Sequence, residues 1–153
     1  MYARLAEPTD TPLILKHART FVSEAHWGWT FDDDAALDTI TNFLASPDAA
    51  FFVIDAGDDL AGGALLSCTQ VWCAEKVGAV HEFFIVPGYR RTPASRLLLQ
   101  AIDDWFEAVG AAVAFATGTA NLSPRETRLF DNLFLKHGYQ AVGQSLVRRY
   151  EHG

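Results

Sequence analysis

The chain has 153 residues, half of them apolar and 20% charged, with a formal net charge of −7; that length suits one domain with a real core, and that composition excludes a disordered chain. The acidic balance argues against a general nucleic-acid binder, which needs a basic face for phosphate backbones. The longest uncharged stretch, Ala108–Pro124, is 17 residues and falls short of the roughly 20 apolar residues that span a membrane.

The start, MYARLAEPTDT, carries acids and prolines where a secretory signal needs an apolar core, so a cytoplasmic protein is expected. Cys68 and Cys73 have neither a metal-ligand spacing nor a disulfide framework, and read as reduced thiols. Tyr2–Ala6 alternates weakly, as a first strand would. Thr11 and Pro12 then read as an N-cap and a proline at the first helical position. Ile14, Ala18, Phe21, Val22 and Ala25 recur at helical spacing and predict a helix to about Ala25. His26–Phe31 (HWGWTF) breaks that pattern. Asp32, Asp33 and Asp34 suit the start of a second helix, whose stripe is Leu37, Ile40, Phe43 and Leu44 and whose end is Ser46-Pro47.

From Ala50 the period changes. FFVI before the turn Gly57-Asp58-Asp59 predicts a hairpin into Leu60–Trp72, in which Gly62-Gly63 suggests a bulge or a close backbone approach. Cys73–Lys76 is the next turn and Val77–Val86 the next strand. From Val80 the chain reads VHEFFIVPGYRRTPASRLLLQAIDDWFE: an apolar strand, a basic turn and an amphipathic helix in succession. Arg90, Arg91 and Arg96 surround the helix start, where unpaired N–H groups and the positive end of the dipole favour an anion, phosphate above all. Leu97, Leu98, Ala101, Ile102, Trp105 and Phe106 form this helix's buried face, and Gly110 closes it. Ala112–Ala116 is a short buried strand. Ser123-Pro124-Arg125-Glu126 is a capping box opening a last helix striped by Leu129, Phe130, Leu133 and Phe134, which Gly138 ends. Tyr139–Val142 and Ser145–Tyr150 read as closing strands. The order β-α-α-β-β-β-α-β-α-β-β implies an α/β (α+β) fold, a mixed sheet with helices on both faces, in a single domain over 1–153.

That order, with VPGYRR opening a helix and KHGY near the C-terminus, resembles the GNAT superfamily of acyl-CoA-dependent N-acetyltransferases. The resemblance covers nearly the whole chain in element order; in sequence it is specific over about Val80–Trp105 and weaker over Pro124–Tyr139. It implies a mostly antiparallel sheet of six to seven strands in which the strand before the basic turn splays from its neighbour. By position, Phe83, Phe84 and Ile85 would contact the pantetheine arm of acetyl-CoA. Arg90, Arg91, Thr92, Ala94 and Ser95 would form the pyrophosphate loop, with Arg96 beside it. The family's asparagine near the last helix maps to Thr127, or to Asn121 if the loop is longer. Two departures stand out. Pro93 replaces the loop's first glycine and has no N–H to give, a loss on the order of 1.5–3 kcal/mol if that bond is charge-assisted. Ser95 replaces the second, and is small enough to be tolerated. Pro93 alternatively serves only to start the helix, with the arginines as a solvated face.

Acetyl transfer needs a group to take the amine proton and another to protonate the departing thiolate. In the family the base is often a carboxylate on the strand before the loop, which here offers His81 and Glu82. Adjacent strand residues point to opposite faces, so at most one enters the cleft unless a bulge intervenes. An acid in an apolar strand is costly unpaired, which favours a role for Glu82, against a salt bridge or a solvent-facing edge position; His81 has a suitable pKa but is commonly structural. The family's usual acid, a tyrosine in the last helix, maps to Phe134, which cannot donate a proton. Tyr89 or Tyr139 could substitute, although Tyr139 fills what is usually an aromatic core site. The catalytic candidates are therefore Glu82, His81 and Tyr89. Acceptor choice in the family usually rests on the loop between the first two helices, here His26–Asp34, whose tryptophans and carboxylates either cage a cationic amine or merely pack and cap.

The resemblance thus implies transfer of an acetyl group from acetyl-CoA to a primary amine of a small molecule or a peptide chain end. No metal, nucleic acid or membrane is expected, and a homodimer through the late strands is open. A catalytically degenerate member acting as a CoA-binding or protein-interaction module is the alternative, and an acetyltransferase acting on nucleic-acid bases or a protein partner is a third.

Overall fold

The two helices between the first and second strands form where their caps place them. In the computed structural model, which describes residues 1–24, 28–117, 124–143, 148 and 150, strand β1 (Tyr2–Leu5) leads through a short 3-10 turn at Pro8–Asp10 into α1 (Thr11–Glu24). The expected cap at Thr11 lies one turn too late. Glu7 and Asp10 cap the 3-10 turn reciprocally, and Thr11 is already helical, its hydroxyl donating to the Pro8 carbonyl at 2.8 Å. Helix α2 (Asp33–Ala45) starts as expected, with Asp32 Oδ1 accepting the Ala35 N–H at 2.8 Å. Its two further aspartates sit in the first turn, where the dipole favours them.

Next come β2 (Ala49–Asp55), β3 (Leu60–Gln70), β4 (Lys76–Ile85), α3 (Ala94–Ala108), β5 (Ala111–Ala116) and α4 (Pro124–Lys136). The five strands form one sheet in the order β1-β2-β3-β4-β5; every neighbouring pair is antiparallel except β4 with β5, which is parallel. Gly62 serves the close approach read from the sequence. A Cβ there would collide with the Phe84 carbonyl oxygen of β4 and lie 2.8 Å from Ile85 Cδ1. A bulge is present as well, in β3 itself: Ile54 pairs with Gly62 and Asp55 with Leu60, which leaves Ala61 as the extra residue.

Helices cover both faces of the central strands, whereas β5, expected to be buried, leaves Val113 and Phe115 exposed. On one face, Leu98, Leu99, Ile102 and Phe106 of α3, with Phe130 and Phe134 of α4, pack on Ile54, Ala64, Leu66, Val80 and Phe83. On the other, Ile14 of α1 and Ile40 of α2 close over Val53 and Leu60. An ion-pair network anchors the first strand to this layer: Arg4 grips the buried Asp10 through both terminal nitrogens, at 2.7 and 2.8 Å, and Asp55 through Nε at 2.9 Å.

Three expectations are corrected. The sheet has five strands among the described residues rather than six to seven. Tyr139–Val142 is not a strand: Gly138 adopts φ 97° and the Tyr139 N–H turns back to the Phe134 carbonyl, which engages the segment in ending α4. Strand β3 stops at Gln70, short of Trp72, because Trp72 takes a left-handed φ of 59° that no ladder accommodates. The other expected closing strand, Ser145–Tyr150, lies outside the described residues apart from Arg148 and Tyr150. No helix of the described residues is long and apolar enough to cross a membrane.

Candidate active site

The two edges of β4 behave differently, and the site follows from that. Toward β3 the strand is paired throughout, but its register shifts: Leu65 lies opposite Glu82 and Leu66 opposite Val80, leaving His81 as an extra residue. Such a bulge breaks the alternation of faces. His81 and Glu82 are accordingly both exposed, both lining one cleft. Toward β5 the pairing runs from Lys76 with Ala111 to Val80 with Ala116 and then stops, while β4 continues to Ile85. The strand's free edge beyond Val80 therefore offers main-chain N–H and C=O groups with no ladder partner among the described residues.

The cleft has a volume of about 640 Å³. Its walls are Ile14, Ala18, Phe21 and Val22 of α1, the approach to α2 at Trp29–Asp32, and Ala35, Ala36, Thr39 and Ile40 of α2; Phe51, Leu65, His81, Glu82 and Thr117 complete it. A smaller apolar pocket adjoins it, sharing Phe21, Phe51, Leu65 and Glu82 and continuing over Gly62 and Gly63 to Phe84 and Val86. Glu82 reaches solvent through the cleft mouth, yet the apolar walls crowd out water around its carboxyl and raise its pKa above the ordinary range. His81 Nε2 shares a 2.6 Å hydrogen bond with Ser67 Oγ of β3, and its ring meets the ring of Phe43 edge-on at 5.9 Å.

The residues expected to hold acetyl-CoA divide into three groups. Phe83, Phe84 and Ile85 lie on the unpaired stretch of β4, but their side chains serve packing: Phe83 against Phe130 and Phe134, Phe84 against Phe21, Ile85 in the main core. Any contact they make with a pantetheine arm runs through their backbone. Arg90 is held within the protein, donating to the Ile85 carbonyl at 3.1 Å and to Glu24 at the end of α1, with Glu126 of α4 at 4.0 Å. The Arg90 and Thr92 N–H groups bond to the carbonyls of Pro87 and Tyr89, and the Ala94 N–H to Thr92 Oγ1 at 3.3 Å. The first intrahelical bond of α3 is Leu97 N–H to Pro93 O, so the Ser95 and Arg96 N–H groups lie in the first turn with no intrahelical acceptor. Arg91 and Arg96 are exposed and have no acidic partner among the described residues. Of the residues carried over to a pyrophosphate loop, Arg91, Ser95 and Arg96 thus keep a side-chain or main-chain donor with no partner assigned among the described residues.

Other expected residues fall away from the cleft. Tyr89 is half-buried against the main core and lines neither cavity. Phe134 is 4% exposed, stacked on Phe130 at 4.4 Å, and is core. Tyr139 packs on Phe134 and donates to Asp103 at 3.4 Å; burial, with Asp103 beside it, pushes its hydroxyl up to about 12. Thr127 is half-buried on α4 and lines neither cavity, and Asn121, His26 and Trp27 lie outside the described residues. Three residues escaped sequence reasoning. Ser67 meets His81 only through strand register, and Thr39 and Thr117 join the cleft from α2 and from the end of β5. No local pattern in the sequence signals any of them.

Comparison with known proteins agrees with this geometry. The acetyltransferase (GNAT) family matches residues 15–133. No curated protein matches the sequence significantly. Among solved structures, an integron cassette protein from the Cole Harbour Salt Marsh metagenome is similar with a TM-score of 0.78 at 19% identity, covering 99% of this chain and 91% of its own. AAC(6')-Iy, solved with the bisubstrate analogue CoA-S-monomethyl-acetylneamine, is similar with a TM-score of 0.71 at 20% identity, covering 98% and 97%. The ribosomal-protein-alanine N-acetyltransferase of Brucella melitensis biovar Abortus 2308 is similar with a TM-score of 0.73 at 14% identity, covering 98% and 100%. At these identities the likeness is one of fold.

Proposed function

Since the chain belongs to the acetyltransferase (GNAT) family, we propose that it transfers an acetyl group from acetyl-CoA to a primary amine of a small molecule or a chain end. The observation that carries this reading is the position of Glu82, a desolvated carboxyl delivered by a bulge to the point where β4 leaves β5. A base belongs there, because a thioester laid along the open edge of β4 would present its carbonyl carbon to that same cleft.

The residues present suit acetyl-CoA. The open edge of β4 would pair with the pantetheine arm, while the Ser95 and Arg96 N–H groups and the side chains of Arg91 and Arg96 would face the pyrophosphate. Acetyl-CoA supplies the activated acyl group. Glu82, its pKa raised toward the working range, takes the proton from the acceptor ammonium, so that the neutral amine can attack the thioester carbon. Main-chain N–H groups on the free edge of β4 stabilise the charge that develops on the carbonyl oxygen. As the carbon–sulfur bond breaks, the thiolate needs a proton. No tyrosine of the described residues lines the cleft, so the proton shed by the amine, held on Glu82, is the local supply. The reading carries with it a single catalytic domain over 1–153 and a cytoplasmic setting.

Calorimetry with CoA tests the first half, and no binding at millimolar CoA would sink it. Release of free thiol from acetyl-CoA in the presence of an amine panel tests the second. Pro93 and the buried Phe134 favour a second reading, a CoA-binding module without catalysis, and CoA binding with no turnover on any amine would establish that instead.

A further inference from the structure

The smaller pocket beside the cleft has a part in the transfer, granted the acyltransferase reading on which this rests. We infer that it receives the acyl chain of the donor, so that short linear acyl groups longer than acetyl, from butanoyl to hexanoyl, are transferred from their CoA thioesters to the same amine.

The pocket has a volume of about 60 Å³, several times the ~10–15 Å³ that one water-sized group fills. That is room for about four or five carbon atoms. A glycine opens it. A Cβ on Gly63 would lie 3.2 Å from Phe51 Cε2 and 3.8 Å from Val53 Cγ1, both of them pocket walls, so the missing side chain leaves space between them. Glu82 and Phe84 are alternate residues of β4 and Val86 follows in step, which carries one face of the strand from the candidate base into the pocket.

A thioester carbonyl carbon holds sulfur, oxygen and the acyl chain. With the sulfur arm along the open edge of β4 and the amine in the cleft against α2, the chain needs a third space that begins at Glu82. Phe21, Phe51, Leu65 and Glu82 line both the cleft and the pocket, whereas Val53, Leu60, Phe84 and Val86 line the pocket and not the cleft. A chain entering there exchanges water for aliphatic and aromatic walls, each methylene favouring binding by about fourfold. His17, at the same end, engages Asp59 through Nε2 at 2.6 Å. The transfer forms the carbon–nitrogen bond and breaks the carbon–sulfur bond. Of the two protons that the acceptor ammonium gives up, one goes to the thiolate and the other leaves by way of Glu82 to solvent.

A series of donors isolates the claim. Thiol release is followed from acetyl-, butanoyl-, hexanoyl- and decanoyl-CoA, each with phenethylamine, hexanediamine and an aminoglycoside as acceptors. The kcat/KM for butanoyl-CoA should exceed that for acetyl-CoA by up to about tenfold, and the value should fall at decanoyl-CoA, whose chain overfills the pocket. A butanoyl value below the acetyl value overturns the inference and leaves the acetyltransferase reading standing. No release from any of the thioesters overturns both. Val86→Phe narrows the pocket and leaves the cleft walls as they are. It should cut the butanoyl-to-acetyl ratio severalfold while the KM of the amine holds, and Val86→Ala should move the optimum to a longer chain. A Val86→Phe effect on the amine KM with an unchanged donor ratio gives the pocket to the acceptor instead, and the inference falls.

Discussion

His81 and Glu82 are neighbours in the chain and open onto the same cleft, an arrangement that a regular strand forbids and the bulge of β4 opposite Leu65–Leu66 permits. Of the two, Glu82 has the apolar surroundings that make a carboxylate basic, whereas His81 is tied to Ser67. Glu82→Gln should therefore lower kcat by about 10²- to 10⁴-fold, the usual range for a lost general base, with CoA affinity unchanged by calorimetry. The wild-type rate should rise with pH to a plateau, with a midpoint above the ordinary glutamate value of about 4.3. A rate untouched by the substitution would move the base elsewhere.

The same carboxyl works against the fold. A folded-state pKa above the unfolded value means that the native state holds its proton more tightly, so stability falls as pH rises through that interval. Glu82→Gln removes a charge that the apolar walls disfavour. The variant should melt higher than wild type at pH 7, and the gain should vanish at pH 3, where both carry a neutral group. Melting curves at the two pH values check it, and a variant less stable at pH 7 would refute the assignment.

Elements framed by caps and glycines were legible in the sequence, because their signals are local. Asp32 before α2, Gly110 after α3 and Gly138 after α4 stand where they were expected. Glu82 was legible as an acid in an apolar strand. Its sharing of a cleft with His81 was not, since a bulge is a property of two paired strands and leaves no mark on either alone. The same limit hid Ser67, whose partner is 14 positions away in the chain. The setting of Arg90 was hidden for a related reason. Three arginines at a helix start read as one phosphate site, but Glu24, which engages the first of them, is brought there only by the packing of α1.

The arginines of the basic turn should accordingly separate by experiment. Arg90 joins the end of β4 to α1 and approaches α4, so Arg90→Ala should lower stability by about 1–2 kcal/mol, a hydrogen bond to a carbonyl plus a solvent-screened ion pair. Arg91→Ala and Arg96→Ala should leave the melting temperature within a degree or so, because no acid among the described residues engages either side chain and surface changes of this kind are nearly neutral. If they face the pyrophosphate, each should raise the KM for acetyl-CoA by about tenfold, the worth of a charge-assisted bond. Melting and initial-rate measurements on the three variants check this, and a KM effect confined to Arg90 would reverse the assignment.

Acid should loosen the α1 face of the sheet through Asp59. Partial burial would by itself raise this carboxyl, but hydrogen bonds from His17 at 2.6 Å, from Lys16 at 3.1 Å and from the Leu60 N–H outweigh that and bring it down to about 2. A depressed folded-state pKa contributes stability above the unfolded value, about 3.9 for aspartate, and that contribution is lost as pH falls from there through about 2. Asp10, lowered by the Arg4 guanidinium that grips it, changes in the same direction. Asp59→Asn should therefore melt below wild type at pH 7, and the gap should narrow from pH 4 downward and close near pH 2. Thermal melts across that range test the sign as well as the size. A gap that stays constant with pH would mean that Asp59 acts through packing and hydrogen-bond geometry rather than through its charge.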